Sequence, residues 1–176
     1  MVRLAGKDHG GVRPAHDRFN RNVVGPVAIF LQSFSTTNRI LLLKDKLKMG
    51  EYQDLLTQSL IATNHVQDCA IIDLKNLSVV TISKGFKLDA EETQAFLNAF
   101  KQPNIIREYG LLFKNANYKC VRADKDSIYS KYNNEGLVLV KTGMYIICAT
   151  YTKSMYPSVC VEAVEKLGDY FKTKGK

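Results

Sequence analysis

From residue 49 onward the apolar positions fall into regular periods. Tyr52, Leu55, Leu56 and Leu60 stand at i, i+3, i+4 and i+8, one stripe of a helix predicted to end near Asn64. Two β-branched runs follow, CAIIDL at 69–74 and SVVTIS at 78–83, and only Lys75, Asn76 and Leu77 separate them, which is hairpin spacing. Asp89 and Glu92 then make the N-cap and N3 pair of a capping box ahead of Phe96, Leu97 and Phe100 on one helical face, with Pro103 expected to close that helix. Glu91 and Glu92 suit the positive end of its dipole, which accounts for them without any chemistry.

Next come five short runs that read as strands: LLF (111–113), NYKCVRA (117–123), SIYSKY (127–132), LVLVKT (137–142) and MYIICATY (144–151). The tight-turn residues Asn133, Asn134, Glu135 and Gly136, and then Thr142 and Gly143, make the strands they join antiparallel. Pro157 suits a first helical position, and Cys160, Val164, Leu167 and Phe171 repeat at helical spacing until Gly175. The order is helix, hairpin, helix, meander, helix. It predicts an α/β (α+β) fold, a central antiparallel sheet flanked by N- and C-terminal helices that each have one apolar stripe to bury, with a middle helix besides.

Residues 1–48 show no such period until RILLLKDKLK, which could add a helical turn or two to the first helix. They are Arg-rich and acid-poor, as targeting peptides are, but no secretory n-region, h-region and cleavage site can be traced. The simplest reading is a poorly ordered extension, or an upstream read-through, ahead of a start at Met49, with one folded domain at 49–176. The longest early apolar stretch, residues 23–31, contains Gly25 and Pro26 and is far short of the roughly 20 residues that span a bilayer.

Charge changes this picture little. The chain carries +8, but residues 1–48 hold nine Lys or Arg against three Asp, hence +6, and 49–176 hold sixteen basic against fourteen acidic residues, hence +2. A domain so mildly basic argues against a nucleic-acid binder. Four cysteines at 69, 120, 148 and 160 are too widely spaced for a zinc site and read as buried free thiols, so no metal and no cofactor is expected. The domain's single histidine, His65, falls at the end of the first helix and reads as a capping or surface residue rather than part of a triad. No glycine-rich phosphate loop occurs. The sequon Asn76-Leu77-Ser78 lies in the expected hairpin turn and carries little weight there. Binding, not catalysis, is the expected activity.

The segments LLTQSLIATNHVQDCAIID, SVVTISKGF and the ending GDYFKTKGK resemble the profilin family in order, length and spacing over essentially all of 49–176. KCVRADKDSIYSK, GLVLVKT and CATYTKSMYPSVCVEAVEKLGDY are more similar to its divergent testis-type branch than to the ubiquitous members. The resemblance implies a profilin-like fold, a cytoplasmic and cytoskeleton-associated protein, a role in male germ cells (spermatogenesis), and two usual partners: monomeric actin and proline-rich peptides. The family's proline-rich ligands sit on an aromatic shelf, whose positions match Gln53, Leu56, Val80, Tyr170 and Lys176 here, with Tyr52 the nearest other ring. The chain has no tryptophan, so weak or absent proline-rich peptide binding is expected. On the family's actin face, Arg122 keeps a basic contact, but Tyr156, Pro157, Ser158 and Val161 replace its histidine, glycines and polar amide, so weak actin binding is expected; an actin-monomer-binding regulator of assembly is the alternative. The third family property, attraction to acidic phospholipids such as phosphatidic acid and phosphoinositides, has candidates in Lys119, Arg122, Lys125 and Lys131 and, on the last helix, Lys166, Lys172, Lys174 and Lys176. A merely solvated face would carry similar charge.

Overall fold

The computed structural model describes residues 36–175, with side chains from Lys48 onward. The chain divides into two compact units, residues 1–40 and 41–176, and every candidate site residue lies in the second. Helix α1 (Thr36–Ser59) is followed by a 3₁₀ turn (Ile61–Thr63), β1 (Asp68–Asp73), β2 (Val79–Ile82), α2 (Ala90–Lys101), α3 (Pro103–Tyr109), β3 (Leu111–Phe113), β4 (Ala116–Ala123), β5 (Ser127–Tyr132), β6 (Glu135–Lys141), β7 (Tyr145–Tyr151) and α4 (Pro157–Thr173). The helical stretch read at 52–64 is α1 plus the 3₁₀ turn, stopped by Asn64 in the left-handed region at φ 60°. Helix α1 runs through Met49 without a break, so the expected boundary at 48/49 coincides with no element end. The expected extension lies outside the described residues as far as residue 35, as does Lys176.

The seven strands form one antiparallel sheet in the order β2-β1-β7-β6-β5-β4-β3. Strand side chains alternate between its faces, and each face has its own core. On one side Tyr52 and Leu56 of α1, Leu60 just after it, and Cys160, Val164, Leu167 and Phe171 of α4 pack against Cys69, Ile71, Val138, Val140 and Ile147. On the other, Phe96, Ala99 and Phe100 of α2 and Ile106 of α3 cover Ala70, Ile72, Ile128, Leu137, Leu139 and Ile146. Both terminal helices therefore share one face, and α2 and α3 hold the opposite one.

The capping box is present: the Glu92 N–H donates to Asp89 Oδ1 at 2.7 Å and the Asp89 N–H to Glu92 Oε2 at 3.1 Å. Pro103, expected to end the middle helix, instead opens a further one. Proline needs no hydrogen-bond acceptor at a first helical position and its fixed φ suits the turn, so α3 starts at Pro103. Lys114 and Asn115, both at positive φ (49° and 59°), form the two-residue loop that joins β3 to β4. Among the described residues no helix is long and apolar enough to cross a membrane.

All four cysteines are free thiols; Cys69, Cys148 and Cys160 are buried and Cys120 is half-buried. Burial is the largest cause of their shift, and it pushes Cys69 and Cys160 up to about 12. An unfolded chain releases these protons near 9, whereas the folded one holds them until about 12. The resulting stability is whole below pH 9 and is lost between pH 9 and 12. In native protein a disulfide reagent is expected to titrate Cys120 first, and the other three thiols only at the rate of unfolding; three fast thiols would contradict that burial.

Candidate functional site

The face of β4 and β5 that looks toward the α4 side of the sheet carries three of the expected basic residues, Lys119, Arg122 and Lys131. Lys119 stands directly opposite Lys131, and Arg122 opposite Tyr129, with a bulge between Cys120 and Arg122. Directly paired residues share a face, as do residues two apart on β5, so Lys119, Lys131 and Arg122 come together. The bulge matters here. Strict alternation from Lys119 would place Val121 opposite Tyr129, and the extra residue brings Arg122 there instead. Lys119 and Lys131 are exposed, and among the described residues neither makes an ion pair.

Arg122, Lys125 and Lys172 line a groove of about 470 Å³ between the β4–β5 turn and α4. Asp124, Asp126 and Glu165 line it too, so three cations meet three carboxylates. Arg122 donates from Nε to Asp124 Oδ2 at 2.9 Å, its Nη2 lies 2.9 Å from the same oxygen, and its guanidinium lies 5.5 Å from the Tyr129 ring centre. Asp124 Oδ1 accepts the N–H groups of Asp126 at 2.9 Å and Ser127 at 2.7 Å. Burial alone would raise the Asp124 carboxyl, but these donors and the guanidinium outweigh it and hold it below the usual carboxylate range. Glu165 accepts from Ser127 Oγ at 2.6 Å and from the Tyr129 hydroxyl. Burial first, and then the Glu165 carboxylate, push Tyr129 up to about 12. The groove is thus locally balanced in charge. Lys174 is not part of it, lying 5.8 Å from the Tyr170 ring centre, and Lys166 pairs with Glu162 along α4 at 2.7 Å.

The positions matched to the aromatic shelf do not assemble at the surface. Leu56 is 1% exposed and belongs to the core between the terminal helices, because it points down the buried stripe of α1. Val80 is half-buried against that core, and Gln53 is exposed, its Oε1 accepting from Thr81 Oγ1. Tyr52 is 4% exposed, its hydroxyl 2.9 Å from that of Tyr145 and its ring packed against Tyr145 and Phe171. Tyr170 alone of the described shelf positions offers an exposed ring, on a groove of about 430 Å³ between α1 and α4 lined also by Leu55, Ala163 and Leu167.

At the start of α4, Tyr156 and Ser158 are exposed and Val161 is half-buried. The Tyr156 N–H donates to His65 Nδ1 at 3.2 Å and the two rings lie 5.0 Å apart, so His65 ties the segment after the 3₁₀ turn to the beginning of α4. The sequence reading missed Asp124, Asp126 and Glu165 as site residues. The first two stand beside Lys125 and were readable; Glu165 reaches the groove only through the fold. Among the described residues no cluster of three metal-binding side chains occurs.

Comparison with known proteins gives one consistent match. The profilin family model covers residues 50–176. Profilin-4 of Mus musculus is 48% identical over 128 residues, which are 72% of this chain and 99% of that protein, and Profilin-4 of Bos taurus is 47% identical over the same shares. Among solved structures, profilin II of Acanthamoeba castellanii is 31% identical with a TM-score of 0.65, over 70% of this chain and 98% of its own. Mouse profilin IIa, solved in complex with a double repeat from the FH1 domain of mDia1, is 12% identical with a TM-score of 0.54 over 71% of this chain and 99% of its own, a likeness of fold alone.

Proposed function

The chain belongs to the profilin family, and from that premise we propose that it is a non-enzymatic protein of the cytoskeleton and its membrane surface that binds acidic phospholipid headgroups on the open face of β4 and β5. One observation carries this reading: Lys119 and Lys131 are directly opposed on neighbouring strands beside Arg122. Like charges placed so cost stability, and a phosphate bound between them removes the repulsion. Lys125 and Lys172 are left out of the proposed site because they line the groove shared with Asp124, Asp126 and Glu165 and not the open strand face at Lys119 and Lys131. Lys174 drops out because it lies elsewhere.

Affinity for proline-rich peptides is proposed to be weak or absent. A polyproline helix needs flat rings to stack on and a donor for its carbonyls, and here Leu56 and Tyr52 are turned into the core while Val80 donates nothing. Actin affinity is proposed to be weak because Tyr156, Pro157, Ser158 and Val161 form an unusual entry to α4. A second reading, an actin-monomer-binding regulator of assembly, is favoured by the balanced charge of the groove at Arg122 and Glu165, which suits a protein surface better than a phosphate. A cytoplasmic location, a role in male germ cells, and a domain beginning near Met49 after an N-terminal extension complete the proposal; similarity to the Profilin-4 proteins supports it.

Flotation with phosphatidic acid or phosphoinositide vesicles is the test. Reversing both lysines (Lys119→Glu with Lys131→Glu) is expected to weaken binding by at least about tenfold, at roughly 1 kcal/mol for each basic residue near an anionic surface. Flotation unchanged by that double reversal, or pyrene-actin assembly slowed stoichiometrically by protein that does not float, would favour the actin reading.

A further inference from the structure

We infer that Asp124 is an internal latch on Arg122: a carboxylate of the chain itself that occupies the guanidinium beside the Lys119–Lys131 pair and must be displaced before Arg122 can grip a headgroup. This rests on the phospholipid reading above. Asp124 Oδ2 faces both Nε and Nη2 of Arg122 at 2.9 Å. That is the forked edge through which a guanidinium holds two oxygens of a phosphate, so one anion excludes the other.

The two partners differ in freedom. Asp124 is fixed, because its Oδ1 accepts two turn N–H groups and its own N–H donates to Ser127 O at 2.9 Å. Arg122 is a long side chain with 59% of its surface exposed, resting on the Tyr129 ring. Opening the latch therefore moves Arg122 and leaves the β4–β5 turn intact. An ion pair so exposed is weak in water, which lets a phosphate at the neighbouring lysines compete for the arginine.

The test compares flotation of full-length variants with vesicles containing phosphatidic acid. In Asp124→Asn the amide oxygen can still accept the Asp126 and Ser127 N–H groups, but the charge that holds Arg122 is gone. Binding is expected to rise about three- to tenfold, the release of one weak ion pair. Arg122→Ala, made in the Asp124→Asn background, is expected to erase the whole gain. A gain that survives Arg122→Ala, or is matched by Asp169→Asn at an exposed carboxylate on α4, overturns the latch. So does an Asp124→Asn protein that floats no better than a wild type that floats, and in that case the phospholipid reading stands. Should neither protein float, that reading fails and the latch with it. If Asp124→Asn does not fold, Asp124→Ser, whose hydroxyl can accept one turn N–H, repeats the comparison.

Discussion

Gly136→Ala is expected to cost this protein about 3 kcal/mol, at the upper end of what overpacking usually does. Gly136 is the register partner of Tyr151 across the β6–β7 ladder, and the Tyr151 ring lies over it. A methyl group there would stand 2.1 Å from Cζ and 2.2 Å from Cε1 of that ring, inside any contact two carbons tolerate. The ring cannot simply swing aside, because Tyr151 is 7% exposed and forms part of the core under the terminal helices. Urea melts followed by circular dichroism measure the loss. Tyr151→Val separates the cause, since it removes the ring that the methyl meets: the double variant should be more stable than the sum of the two single losses by at least about 1 kcal/mol. Strictly additive losses would show that Gly136 matters for its backbone and not for the ring above it.

The sequence made nearly every element of the fold readable, since each has one apolar face and clear punctuation. Among the described residues its one element-level omission, α3, comes from an ambiguity intrinsic to proline, which stops one helix and starts another equally well; Pro103 does both within two residues of Lys101. The candidate site was less legible, for reasons of geometry. On α1 one residue is about 100° of rotation, so matching a shelf position to Leu56 and not to Leu55 decides between the interior and the groove at Tyr170. On β4 the bulge reverses the alternation after Cys120, so the face carrying Arg122 could not be derived from its spacing to Lys119. Glu165 is 38 residues from Ser127 in the chain, and no local pattern announces that its carboxylate neutralises the groove. Counting lysines found the basic residues; only the register separated the opposed pair from those already balanced by carboxylates.

The second large effect is expected at Phe171. Its ring is 1% exposed and meets Tyr145 at 5.4 Å and Tyr52 at 5.8 Å between centres, so one side chain joins α4 to both α1 and β7. Truncation to alanine removes that ring from a core closed on every side, and buried Phe→Ala changes cost about 3–5 kcal/mol. Phe171→Leu, which keeps most of the volume, should cost well under half as much, so the ratio of the two losses measures how far the cavity collapses. The change also bears on the site, because α4 carries Glu165 and Lys172 into the groove at Arg122. Lys119 and Lys131 lie on strands β4 and β5, whose register is held by their own ladder and by the pairing of β5 with β6. At a temperature where the Phe171→Ala protein is still folded, vesicle binding through the opposed lysines should therefore survive while the Tyr129–Glu165 contact loosens. The phenol reports this directly: freed from burial and from the Glu165 carboxylate, Tyr129 should titrate nearer its ordinary 10 than the value of about 12 it holds in the native protein. An ultraviolet titration in which it stays near 12 would place the anchor of α4 somewhere other than Phe171.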